Sequence, residues 1–245
     1  MSEQKKVCLD PGHDSGNLAN KSPDGSYYEH EFTLDMAKRI QTLLTERGVA
    51  VTLTRTGGEA VSLARRCEIA NRIPDLDFFV SIHSNAAGSG GWSDARGWSA
   101  YIYGPGGPRE EAAQDLLEQV RAAGIAVRST PIVYDPNLYV LKHTKAPAVL
   151  VENGFHTNRE EAALLNQPEY RQKLAVAEAK GILQFLQLPW AESPYQEEAD
   201  AAVAWLTGAG ILQGNAQGDL MLDQPVTRRQ LAVILYRFAK KYGII

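Results

Sequence analysis

Three short segments place polar, chemistry-bearing residues directly after apolar runs that read as strands: Asp10-Pro-Gly-His13, Ser81-Ile-His-Ser-Asn85 and Val151-Glu-Asn-Gly-Phe155. The first two each offer a histidine, His13 and His83, and the third offers Glu152. Ligands of open α/β sheets bind at the carboxyl ends of strands. Glu29, at the start of a helical run, can reach the same edge. Two imidazoles and one carboxylate suit zinc. Two neutral nitrogens and one anionic oxygen leave residual positive charge and a fourth position open for water, whose pKa the metal lowers while it polarises a bound carbonyl. A second carboxylate that does not bind the metal can then take the proton. Glu152 is placed for that role, because four apolar residues, Ala148 to Val151, precede it and apolar surroundings raise a carboxyl pKa.

Each group also has a structural reading. A lone histidine at a strand end is more often a hydrogen-bonded structural residue, and a glutamate at a helix start favours the helix dipole. On spacing alone, a metal hydrolase and a purely structural arrangement stand about even. Glu31 rivals Glu29: two residues apart on a helix, they point to different faces, so only one can join the histidines. His30 reads as exposed, His156 as lying behind the site or on the surface, and Arg55 and Arg66 as ion-pair or hydrogen-bond groups. Asn85 is placed to support the His83 loop, as groups behind a ligand orient it.

The elements that must position these residues follow from periodicity. Strands are expected at Val7–Leu9, Val49–Thr54, Asp77–Ile82, Trp98–Tyr103, Leu138–Leu141 and Ala148–Val151. Helices are expected at about 28–47, where Phe32, Met36, Ile40, Leu43 and Leu44 share one face, and at 59–72, 108–123 and 159–186 with a break near Pro168. The alternation predicts an α/β fold: a twisted, open, mostly parallel sheet flanked by helices on both faces. After Pro189, two prolines within six residues suggest a linker over 189–195. Two further helices, near 197–209 and 227–242 around a Gly214–Gly218 loop, would form a small helical C-terminal domain over 196–245.

The 245 residues suffice for one substantial core plus a small appendage. A net charge of -4 without a basic tract argues against nucleic acid as a partner. No run approaches the ~18 apolar residues of a membrane span, and no apolar secretory segment follows Met1. Cys8 and Cys67 read as buried thiols.

In order along the chain, several segments resemble the zinc-dependent N-acetylmuramoyl-L-alanine amidases of the cell-wall and phage lytic type. They are Asp10-Pro-Gly-His13, Glu29-His-Glu-Phe-Thr-Leu34, Val51-Thr-Leu-Thr-Arg55 with Arg66 and Ala70-Asn71, Ser81-Ile-His-Ser-Asn85, and Pro147 to Phe155 with Thr157-Asn158. The resemblance spans about residues 5–188, so residues 1–188 are expected to form the catalytic domain. It implies His13, Glu29 and His83 as Zn2+ ligands and Glu152 as general acid/base. It implies hydrolysis of the peptidoglycan amide between N-acetylmuramic acid and L-alanine. His143 matches a substrate-side segment of the family, which implies either a solvated group or a transition-state hydrogen bond.

The tail, from Asp200 through Thr227-Arg228 to Arg237, resembles one S-layer homology repeat. That implies binding of a secondary cell-wall polymer at Thr227 and Arg228, where a helix N-terminus with an arginine suits an anionic group. Such modules usually come in threes, and a single copy leaves a dimerising appendage as the alternative. The expected role is a phage or prophage endolysin, made in the cytoplasm and acting on the wall once a holin opens the membrane. A host sporulation or mother-cell-lysis amidase and a zinc peptidase of similar fold are the alternatives.

Overall fold

The expected apolar runs pair into one sheet in the computed structural model, which describes residues 4–190, 194–214, 220 and 227–243. Its strands are β1 (Lys6–Pro11), β2 (Ala50–Leu53), β3 (Phe78–Asn85), β4 (Trp98–Ile102), β5 (Val127–Tyr134) and β6 (Ala148–Phe155), in the order β2-β1-β3-β6-β4-β5. β2, β1, β3 and β6 are parallel, while β4 and β5 run together against them. Side chains alternate between the faces of a strand. Val7, Leu9, Val80, Ile82, Val149 and Val151 therefore enter one core with Phe32, Met36 and Ile40 of α1 (Glu29–Thr45), Leu116 of α3 (Pro108–Ala122) and Ile182 of α6 (Pro168–Phe185). Cys8, Phe79 and Leu150 face the other way, against Cys67 and Ala70 of α2 (Leu63–Asn71) and Val140 and Leu141 of α4 (Tyr139–His143). Helices thus cover both faces, and both cysteines are buried and free. A short helix α5 (Arg159–Leu165) follows β6, its amides capped by the Asn158 side chain.

Two expectations fail. Leu138–Leu141 is not a strand: Tyr139–His143 form α4. A four-residue apolar run has no decisive period. Val140 and Leu141 both bury in one cluster, which neighbouring strand residues cannot do. β5 was not expected at all. It is a polar strand carrying Pro131, and proline is tolerated there because β5 is the sheet's edge.

One buried charge ties the left half of the sheet together. The Asp10 carboxylate, at the end of β1, accepts from Thr54 Oγ1 (2.5 Å), Ser81 Oγ (2.7 Å) and Arg66 Nη1 (2.7 Å). Arg66 also donates to the carbonyls of Pro11 and His13. Arg55 donates to those of Pro11, Gly12 and His30. The carbonyls that leave β1 without a strand partner are therefore satisfied by two buried guanidinium groups.

The chain divides into two compact units, Met1–Ala191 and Glu192–Ile245. Trp190 belongs to the first and stacks under the Arg47 guanidinium, 3.7 Å from the ring centroid. The second holds α7 (Pro194–Gly208) and α8 (Arg228–Lys241), with Trp205 of α7 against Phe238 of α8 and Tyr242 just beyond it. Of the expected 189–195 linker, residues 191–193 lie outside the described residues, and α7 begins inside it at Pro194. The expected loop beyond Gly214 also lies outside them. Among the described residues, no helix is long and apolar enough to cross a membrane.

Breaking a buried ion pair on one side costs about 3–5 kcal/mol, whereas an exposed pair contributes about 0–1 kcal/mol. Chemical denaturation should therefore place Arg66→Met several kcal/mol below the parent protein. Arg65→Met, which removes the exposed pair to Glu68, should leave stability almost unchanged.

Candidate active site

Three strands and one helix deliver the expected residues to a single edge. Pro11 closes β1, and the amide of Gly12 donates to Ile82 O of β3 at 2.9 Å. Gly12 is required here: a Cβ would lie 2.3 Å from Cε1 of the His83 ring. His13 then takes a left-handed conformation, φ 58°, which non-glycine residues rarely adopt. The turn is held by Arg66 on the His13 carbonyl (2.7 Å) and by Thr33 Oγ1 on the Gly12 carbonyl (2.8 Å). Asn17 and Asn20 reach His13 Nδ1 at 3.1 and 2.8 Å, which orients the ring.

Glu29 enters from the first turn of α1 and is 2% exposed. Its carboxylate lies between the two imidazoles, 3.3 Å from His13 Nε2 and 3.0 Å from His83 Nδ1, and accepts the Ser84 amide at 3.0 Å. Burial alone would raise its pKa. Hydrogen bonds and charge from His13 and His83 outweigh that and bring it down to about 2. The ligand atoms of His13, Glu29 and His83 all lie within 4.8 Å of one another. Two nitrogens, one anionic oxygen and imidazoles still partly open to solvent fit a divalent cation with a free coordination position. Glu31 stands outside this cluster with a side chain 69% exposed.

Glu152 pairs with His83 across β3 and β6, so the two side chains stand next to each other on one face. Its Oε2 is buried without a hydrogen-bond partner. Burial pushes its pKa well above the ordinary carboxylate range, the Glu29 charge pushes it further, and Arg128 partly opposes both. Two carboxylates in one site are thus driven in opposite directions, the arrangement that separates a permanently charged group from one that moves a proton.

Behind the cluster, Tyr27 donates to Ser84 Oγ at 2.7 Å, and His156 Nδ1 lies 3.0 Å from the same hydroxyl. His156 stacks on Tyr27, and its Nδ1 is 4.0 Å from Glu29. Burial lowers its pKa and keeps it neutral near pH 7. His30 is a correction: it is buried, because the first turn of α1 packs against the Gly12 turn and its carbonyl accepts Arg55. Asn85 stands at the site's edge and reaches the Tyr101 hydroxyl at 3.4 Å, while Asn153 is the side chain that holds the His83 carbonyl, at 3.3 Å. His143 is exposed on α4, stacked on Tyr139, and makes no contact with the cluster. Thr227 and Arg228 lie in the second unit, where Thr227 caps α8 in a capping box with Gln230.

Sequence reasoning missed Asn17, Asn20, Ser84, Asn153, Tyr101 and Arg128. Ser84 and Asn153 were legible in principle, each standing one residue from a recognised group. Asn17 and Asn20 sit in a polar loop, and Tyr101 and Arg128 in strands whose composition carries no marker.

Residues 7–184 match the family Amidase_3, described as N-acetylmuramoyl-L-alanine amidase. The endolysin of Bacillus phage SPP1 is 34% identical over 195 residues, covering 75% of this chain and 67% of the endolysin. The germination-specific N-acetylmuramoyl-L-alanine amidase of Bacillus subtilis (strain 168) is 30% identical over 196 residues, covering 74% of this chain and 79% of that protein. The solved catalytic domain of the CwlV amidase from Bacillus (Paenibacillus) polymyxa var. colistinus matches with a TM-score of 0.69 at 29% identity, over 76% of this chain and 100% of that one. The expected sheet and substrate class therefore agree with these relatives, and the chain belongs to the N-acetylmuramoyl-L-alanine amidase family of peptidoglycan hydrolases.

Proposed function

We propose that this amidase is zinc-dependent, with His13, Glu29 and His83 as the protein ligands and Glu152 as the general acid/base. The observation that carries the reading is the contrast between the two carboxylates. Glu29 is fixed between two imidazoles and stays charged. Glu152, beside His83, has a buried oxygen without a partner and a raised pKa. When bound, zinc supplies a Lewis acid that polarises the scissile carbonyl and makes the attacking water a stronger acid.

The chain's own residues do the rest. The Ser84 amide and the two histidines hold Glu29 in place, and Asn153 holds the His83 carbonyl. Glu152 takes the proton of the attacking water as the carbonyl carbon becomes tetrahedral. It returns that proton to the L-alanine nitrogen as the C–N bond breaks. A carboxyl whose pKa is raised by burial holds the proton more readily for the return step than an exposed glutamate does.

We further propose a lytic role of the endolysin type, for which the phage SPP1 relative is the support. The germination-specific relative supports a second reading, host wall remodelling. Walls of vegetative cells should be solubilised by the purified protein under the first reading, and only spore walls under the second. The second unit is proposed to hold an anionic wall polymer at Thr227 and Arg228, so Arg228→Gln should reduce pelleting of the full chain with purified walls.

Digestion of purified peptidoglycan should create new L-alanine amino termini and no new reducing sugars. Chelation should abolish that activity and zinc should restore it. Activity surviving both chelation and Glu152→Gln would sink the assignment. Because a base works deprotonated, activity should fall as pH drops through the raised Glu152 pKa. The acid limb of the kcat/KM profile should then lie above the ordinary carboxylate range, and a limb near pH 4 would count against Glu152 as the base. Gly12→Ala should keep the fold but displace His83. Disturbing the support of a metal ligand costs roughly 10–100-fold in affinity, so calorimetric zinc binding should weaken by at least about 10-fold.

A further inference from the structure

One cation stands at the same sheet edge with no assigned task. Arg128 follows Val127, which pairs with Trp98; the next β4 residue, Ser99, pairs with Glu152. Arg128 and Glu152 lie on strands two places apart, at ~4.8 Å per strand step, and the register of β4 and β5 shifts just beyond Val127. Ser99 and Tyr101 alternate onto the face that carries Glu152, and the Arg128 side chain is placed on that face by its contact with Tyr101. The Arg128 guanidinium donates to the Tyr101 hydroxyl at 3.2 Å and lies over the Phe155 ring, 5.6 Å from its centroid. Asn85 Nδ2 reaches the same hydroxyl at 3.4 Å. Strands β3, β4 and β5 thus contribute a polar row, Asn85, Tyr101 and Arg128, beside the His13–Glu29–His83 cluster.

The partners of Arg128 are all neutral. Arg66 and Arg171 have carboxylates, and Arg55 has four carbonyls and a hydroxyl. Among the described residues, no carboxylate lies within ion-pair distance of Arg128, and a guanidinium has five donors of which one is used here. Its charge is nonetheless felt at Glu152. Bidentate capture of a carboxylate is the interaction for which such a fork is shaped.

The substrate narrows what that carboxylate can be. The lactyl carboxyl of muramic acid is consumed in the scissile amide, and the N-acetylated sugar is otherwise neutral. The anion must belong to the stem peptide. The first one beyond L-alanine is the α-carboxyl of the γ-linked D-glutamate, which is free in some walls and amidated in others. Two extended residues span about 7 Å, a distance an arginine two strands from Glu152 can close.

We propose that Arg128, steadied by Tyr101 and Phe155, is a specificity-determining residue that binds the free α-carboxylate of the second stem-peptide residue. The proposal rests on the amidase reading above. The test uses N-acetylmuramoyl peptides that differ only in whether that carboxyl is free or amidated. The full chain should favour the free acid in kcat/KM by about 10-fold or more, the scale of a charge-assisted hydrogen bond. Arg128→Met should bring the free acid down to the amidated substrate, mainly through KM, and leave the amidated substrate within about 3-fold. Arg128→Lys should recover part of the preference, since it restores the charge without the fork.

Equal cleavage of both substrates by the parent protein would overturn the proposal. So would an Arg128→Met defect that is the same on both, or one confined to a displaced acid limb, because those place Arg128 in the service of Glu152 alone. Failure to cleave either substrate is a different result: it removes the amidase reading and this proposal together.

Discussion

Everything at the active edge depends on the buried carboxylate of Asp10. It accepts hydrogen bonds at once from Thr54 just beyond β2, from Ser81 of β3 and from Arg66 of α2. A buried charge is costly unless paired and fully hydrogen-bonded, and here the pairing is used for geometry. The same Arg66 that neutralises Asp10 also holds the carbonyls of Pro11 and His13. The strained turn that points His13 at its partners is therefore enforced by the interior of the fold. A left-handed histidine would relax if its carbonyl were free.

A second constraint is electrostatic. Glu29 and Glu152 are chemically identical, and both lose water on folding. Glu29 gains two imidazoles and a backbone amide, while Glu152 gains no hydrogen bond on Oε2 and faces the Glu29 charge. The difference in partners, more than in burial, holds one carboxylate charged and pushes the pKa of the other up. The raised pKa of Glu152 is partly a consequence of Glu29 being so well stabilised.

The legible part of this design was the part written in short apolar runs that end in chemistry. β1, β3 and β6 each announce themselves that way, and adjacent parallel strands bring their ends together without further instruction. Helical spacing put Glu29 and Glu31 on different faces, but the choice of Glu29 came from the register of the family resemblance. The Leu138–Leu141 run misled because four apolar residues fit a strand as well as a helical turn, and only the shared burial of Val140 and Leu141 decides it. β5 was silent because an edge strand half-open to solvent needs little apolar alternation. Arg128 was hidden with it: an arginine in a polar stretch says nothing until the strand order puts it two places from Glu152. The burial of His30 likewise depends on the Gly12 turn and Arg55, which meet it only in three dimensions.

The strand order carries one more consequence. Among the described residues β6 is the last strand, and within the sheet it alone joins the β2-β1-β3 half to the β4-β5 pair. Pairing β6 with β3 and β4 joins segments far apart in the chain, and such long-range closure is the slow part of assembling a fold. β6 also bears Glu152. A chain emerging during synthesis has His13, Glu29 and His83 from residue 83 onward, but it gains Glu152, the proposed acid/base, only with the strand that joins the two parts of the sheet. On the proposed mechanism, joining the two parts of the sheet and acquiring hydrolytic competence are the same event.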